Sequence, residues 1–210
     1  DAARQVAAAG WAVTREAKLG PYDVVSFIGA IEPGTSGTCR LGDGNLGVFR
    51  NGTLVAMAYA PTAGAATIGS LRPFGADSLR IWDGDFLSQP VADLRLGAGE
   101  SLTIQPLAAE EPVCGGAMVV PNIYGRPITE ARAMLQRHGW TPAPPTDPRD
   151  GNDTRVADLV RRGLPEVEDC SGTGFGFCSF NYRGTAGTLN VTTVGDNDVP
   201  AVADYGVTCR

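Results

Sequence analysis

The chain has 210 residues, 43% of them hydrophobic, enough for one large or two small domains that bury a core, so disorder is excluded as the default state. Its 17 basic residues against 23 acidic ones give a net charge of −6 and an isoelectric point near 4.8. An acidic surface of this kind repels phosphate backbones and anionic lipid, which argues against nucleic acid as a partner. The longest apolar runs, 24–31 and 54–60, have strand length and fall short of the roughly 20 apolar residues a membrane-crossing helix needs, so membrane insertion is not expected.

In chain order, residues 1–10 are alanine-rich and end at Gly10, which predicts a short helix with a glycine stop. From 11 to 107 the character changes to short β-rich runs separated by turn residues. The segments 11–17 and 23–31 flank Leu19-Gly20-Pro21-Tyr22. The segments 47–50 and 53–60 flank Asn51-Gly52, the strongest hairpin signal in the chain. Further strands are predicted at 68–72, 78–82 and 101–106. Strands at this spacing without intervening helices predict a β-rich antiparallel N-terminal domain over residues 1–115, a sandwich or small barrel.

The run from Glu110 to Gly116 is a composition break, and residues 116–210 read as a separate α+β domain. A helix is predicted over 127–138: Pro127 suits its first turn, Glu130 its positive end, Ile128, Ala131, Met134 and Leu135 recur at helical spacing, and Gly139 stops it. Residues 141–153 are rich in proline and polar residues, a loop without core-forming capacity. A second helix is predicted over 154–162 and a four-stranded meander at 166–169, 177–183, 188–194 and 201–208.

Residues Val119-Val120-Pro121-Asn122-Ile123-Tyr124-Gly125, followed by Ala131-Arg132, Leu135 and Gly139-Trp140, resemble the opening of a PASTA domain. That family begins with a V-P-x-x-x-G strand and turn, then a helix carrying spaced Ala and Leu, then Gly and an apolar residue. The resemblance implies a cell-envelope setting with cell-wall glycan as partner. It covers residues 119–140, and the proline-rich segment that follows departs from the family pattern.

Five cysteines bear on compartment. No pair has the C-x-x-C spacing of a zinc site or redox dithiol, so they read as disulfide staples of an oxidising environment. Cys39 and Cys114 bracket the β-rich part and are expected to pair. Cys170 is expected to pair with Cys178 across a nine-residue loop, leaving Cys209 over. Lys18 is the only lysine beside sixteen arginines, which reads as a GC-rich genome. With a start at Asp1 that looks processed, the expectation is a periplasmic or secreted bacterial protein. Sequons at Asn51, Asn152 and Asn190 read as chance occurrences.

Candidate chemistry is sparse. His138 is the only histidine, so a triad must use it, and its place in the last turn of a helix gives it a structural reading. No serine sits in a G-x-S-x-G elbow, and no cofactor or metal motif is present. The acidic turns at Asp43-Gly44-Asn45, Asp83-Gly84-Asp85 and Asp196-Asn197-Asp198 lack the spacing of a calcium loop. Carboxylate pairs for a glycosidase could be drawn from Asp83, Asp85, Glu166, Glu168 and Asp169. The most distinctive local sequence is the Cys170–Cys178 loop, whose three glycines and Ser171, Thr173, Phe175 and Phe177 form a candidate ligand-binding set. The leading expectation is a non-catalytic, disulfide-stabilised binding or inhibitor-like module. The alternatives are a cell-wall-associated glycosidase using Asp83 or Asp85, and a subunit of an extracellular assembly.

Overall fold

The computed structural model describes residues 1–59, 67–146, 153–172 and 174–210. The chain falls into two compact units, Asp1–Ala108 and Ala109–Arg210, the first β-rich and the second α+β.

The first unit opens with α1 (Ala2–Ala8), capped by the Asp1 carboxylate, which accepts from the Arg4 amide. Its Ala2 and Val6 bury against Val25, Phe27 and Phe49. After it come β1 (Ala12–Leu19) and β2 (Tyr22–Ile28), a two-stranded ribbon of β3 (Ala30–Pro33) and β4 (Cys39–Gly42), then β5 (Asn45–Arg50) and β6 (Thr53–Tyr59). Asn51 and Gly52 both take positive φ, 51° and 77°, the left-handed pair that a type I′ hairpin turn requires. These strands form an antiparallel sheet in the order β1-β2-β5-β6.

A second antiparallel sheet, ordered β10-β9-β8-β7, contains β7 (Ile68–Pro73), β8 (Ser78–Asp83), β9 (Pro90–Leu96) and β10 (Leu102–Gln105). Leu19, Tyr22, Val24, Leu46 and Val48 from the first sheet meet Ile68, Leu71, Leu79, Ile81 and Leu94 from the second in one core, so the unit is a sandwich. Central β2 is enclosed on both faces, by the second sheet and by α1, which is why 24–28 reads as a continuous apolar run broken only by Ser26. The buried Ser26 hydroxyl is satisfied by Thr14 Oγ1 at 2.8 Å.

In the second unit a hairpin of β11 (Glu110–Val113) and β12 (Met118–Pro121) precedes α2 (Ile128–Arg137), β13 (Thr141–Pro142) and α3 (Thr154–Arg161). A sheet ordered β13-β15-β16-β17 follows, from β15 (Cys178–Arg183), β16 (Gly187–Val194) and β17 (Ala201–Cys209), with β14 (Val167–Cys170) also paired to β15. The segment 110–116, read from composition as a break, is therefore a hairpin inside this unit: Glu110 lies opposite Pro121 and Val113 opposite Met118. Ile128, Ala131 and Leu135 of α2 and Val156 and Leu159 of α3 pack on Phe180, Tyr182, Leu189 and Val191 of the sheet. Trp140 is fully buried among them and donates its indole N–H to the Val119 carbonyl at 2.8 Å.

Two disulfides lie in the second unit, Cys114–Cys209 and Cys170–Cys178. The local pair agrees with expectation. The expected Cys39–Cys114 pair does not form, and Cys209 is not the odd cysteine: Cys114, just past β11, has its Cα 5.4 Å from that of Cys209 at the end of β17. Cys39 sits in the β3–β4 ribbon as an exposed free thiol. Bracketing a β-rich stretch in sequence did not bring these two residues together, because each is held by the strand order of its own unit. No helix is long and apolar enough to cross a membrane, among the described residues.

Candidate functional site

The disulfide loop and the segments around it form a polar cleft of about 560 Å³, lined by residues that include Asp153, Arg155, Ser171 and Asp196. Asp153 caps α3 by accepting from the Arg155 and Val156 amides at 2.8 and 3.0 Å. Arg155 reaches across to the carbonyls of Gly195 and Asn197, and Arg162 bridges Asp158 and Asp198 at 2.7 and 3.0 Å, so α3 is tied to the β16–β17 turn. Arg162 holds the Asp158 carboxyl below its ordinary range. The loop joins the same turn through the Gly195 amide, which donates to the Phe175 carbonyl at 2.9 Å. Gly176 is needed here: its φ is 66°, and a Cβ would lie 2.3 Å from Asp196 Oδ1.

Of the expected loop residues, Ser171 is exposed and lines the cleft. Phe175 and Phe177 are half-buried and stack edge to face with ring centroids 6.2 Å apart, so they brace the loop rather than form a projecting apolar tip. Thr173 lies outside the described residues. Arg155 is engaged by carbonyls of the fold, so the cleft presents carboxylates and hydroxyls rather than an anion clamp.

Of the acidic residues singled out for catalysis, Asp169 is exposed on β14, and Asp83, Asp85, Glu166 and Glu168 are held by local structure. Asp83 Oδ1 accepts the Asp85 and Gln89 amides at 3.2 and 3.0 Å, and Asp85 Oδ1 accepts the Phe86 amide at 2.8 Å, as turn carboxylates do. Glu168 accepts from Ser179 Oγ at 2.9 Å. Glu166 is fully buried; its Oε1 lies 3.2 Å from both Arg132 Nε and the Tyr182 hydroxyl. Burial, then the Glu166 charge and hydrogen bond, push the Tyr182 hydroxyl far above its ordinary range. Among the described residues, no group of three or more His, Cys, Asp or Glu is placed to hold a metal ion.

His138 follows the last turn of α2, with Nδ1 2.9 Å from the Met134 carbonyl and Nε2 3.0 Å from Glu110 Oε1. Both partners only accept, so both ring nitrogens donate when the imidazole is protonated. The Met134 carbonyl first, and Glu110 second, raise its pKa above the ordinary 6.5. A raised folded-state value means the stabilisation is fully present below pH 6.5 and is lost as pH rises through the higher folded value. We expect the stability difference between wild type and His138→Asn, followed by urea denaturation, to shrink as pH rises above 6.5. A difference independent of pH would contradict this.

A groove not anticipated from the sequence lies on the outer face of the β1-β2-β5-β6 sheet. It measures about 440 Å³ and is lined chiefly by Val6, Trp11, Phe27, Phe49, Leu54 and Met57. Helix α1 covers only part of this face; Gln5 anchors it by donating to the Gly52 carbonyl at 2.9 Å. Trp11 stands edge-on to Phe27 at 5.3 Å, and Trp11, Leu54 and Met57 remain exposed. The available signal was β6 itself, seven residues without a charge beside a hairpin turn.

Comparison of the chain with protein-family models, curated proteins and solved structures found no match.

Proposed function

We propose that this is a non-catalytic binding protein of an oxidising compartment, periplasmic or secreted from a bacterium, which takes an apolar segment of another molecule into the groove beside α1. The groove carries the reading. Trp11, Leu54 and Met57 of its apolar lining stay open to solvent, whereas Asp83, Asp85, Glu166 and Glu168 are engaged by amides, a hydroxyl or an arginine. Two disulfides in a chain of 210 residues support the compartment.

Trp11 supplies the test, because Trp82 and Trp140 are buried and a ligand in the groove alters the environment of Trp11 alone. The apolar probe anilinonaphthalenesulfonate is expected to bind with a blue shift of Trp11 emission. Leu54→Glu is expected to weaken that binding roughly tenfold or more, since it puts a charge against the apolar lining. Unchanged probe binding in this variant would remove the groove as the site.

The cell-envelope setting draws on the PASTA-like segment, in which the strand Met118–Pro121, Gly125 at φ 70° and the helix Ile128–Arg137 follow the family's order. In that setting the cleft beside Ser171 is the surface for a cell-wall glycan, its loop preorganised by the Cys170–Cys178 bond.

A further inference from the structure

β6 has one strand neighbour among the described residues, β5, and closes its sheet as an edge. Soluble proteins blunt such edges with charge, proline or very short strands, because an open edge offers unpaired amides and carbonyls to another strand. β6 has none of these devices. It runs seven residues, TLVAMAY, with no charge and no proline, and Val55, Met57 and Tyr59 are 51%, 53% and 67% exposed. A bulge on the β5 side, where Val55 is the extra residue, is its one irregularity. The occupant of such an edge is another β-strand, since only a strand satisfies a row of backbone groups.

We infer that the β6 edge pairs antiparallel with β6 of a second copy of this chain, making one continuous sheet of eight strands across a two-fold axis at Met57. The sequence of the strand is self-complementary about that residue. An antiparallel pairing centred on Met57 sets Met57 against its copy, Val55 against Tyr59, and Ala56 against Ala58, so exposed large apolar side chains meet each other and alanines meet alanines. Charge favours the same choice. The chain carries −6, and self-association through most of its surface opposes like charges, but residues 53–59 contribute none. This pairing uses the backbone edge and does not depend on a ligand in the groove.

The test is the oligomeric state of the full chain in a Cys39→Ser background, which removes the exposed thiol as a source of covalent dimers. Sedimentation equilibrium is expected to show a reversible dimer. Met57→Lys, which sets like charges opposite each other at the axis, and Val55→Lys are each expected to weaken it by roughly tenfold or more while circular dichroism stays native. Met57→Cys in the same background is expected to form a disulfide dimer on air oxidation, because directly opposed Cβ atoms lie about 5 Å apart. Ser101→Cys, exposed outside the β1-β2-β5-β6 sheet, is expected to cross-link far less. A monomer at high micromolar concentration, a dimer unaffected by both lysines, or cross-linking no better at 57 than at 101 would overturn the inference. Probe binding to the groove is read on the monomeric Val55→Lys protein, since Val55 does not line the groove, and on Leu54→Glu, so the two readings fail separately.

Discussion

Asp93→Ala is expected to destabilise the first unit by about 3–5 kcal/mol, the cost of leaving a buried cation without its carboxylate. Arg80 and Asp93 face each other across β8 and β9, with side chains 6% and 0% exposed. Arg80 Nε donates to Oδ1 at 2.9 Å, Nη2 reaches Oδ2 at 3.4 Å, and the Ala108 amide donates to Oδ2 at 2.9 Å. The guanidinium also lies over the Phe74 ring, 3.7 Å from its centre. Loss of the carboxylate therefore removes the counter-charge and the acceptor of the Ala108 amide together. The double variant Arg80→Met/Asp93→Leu removes both charges and is expected to recover all but about 1–2 kcal/mol, since apolar replacement of a buried pair is often close to neutral. Urea denaturation of the three proteins decides the matter. A single variant losing under about 1 kcal/mol, or a double variant no better than the single, would show that the pair is not the unit of stability.

The sequence carried this fold where local chemistry and tertiary demand agree. Asn51-Gly52 could form only a tight turn, and it joins β5 to β6. Ile128, Ala131 and Leu135 recur at helical spacing and are the buried residues of α2. Other elements were hidden for identifiable reasons. β9 begins at Pro90 and carries Asp93 and Arg95, so it looks polar; its aspartate is buried because Arg80 on the neighbouring strand neutralises it. β11 contains Glu110, Glu111 and Pro112, which in composition resemble a linker, yet Glu110 is the partner of His138 and Glu111 that of the Tyr205 hydroxyl. Recognition chemistry was less legible. The groove draws on α1, the α1–β1 link at Trp11, β2, β5 and β6, and no stretch of sequence shows these parts converging. Phe175 and Phe177 stand in the sequence as candidate ligand contacts; their rings instead stack on each other in a loop that the Gly195 amide holds to the β16–β17 turn, a contact 20 residues away in sequence.

Losing the Cys114–Cys209 bond is expected to be the other large effect, because of the length of chain it closes. The two cysteines are 95 residues apart, and in the chain-entropy model a loop of about 100 residues restricts the unfolded state by about 4.7 kcal/mol. Cys170 and Cys178 are 8 apart, and the same relation gives about 2.5 kcal/mol. Cys114→Ser/Cys209→Ser should therefore cost the second unit more than Cys170→Ser/Cys178→Ser. The longer bond also joins the end of β11 to the end of β17, whereas the shorter one adds to Cys170 and Cys178 already paired as neighbours on β14 and β15. Alkylation of the native protein without reductant is expected to label Cys39 alone, the exposed thiol. A peptide map linking Cys39 to Cys114 would sink the pairing. Equal losses in the two double variants, measured by denaturation under non-reducing conditions, would sink the ordering by loop length and leave local strand geometry as what each bond contributes.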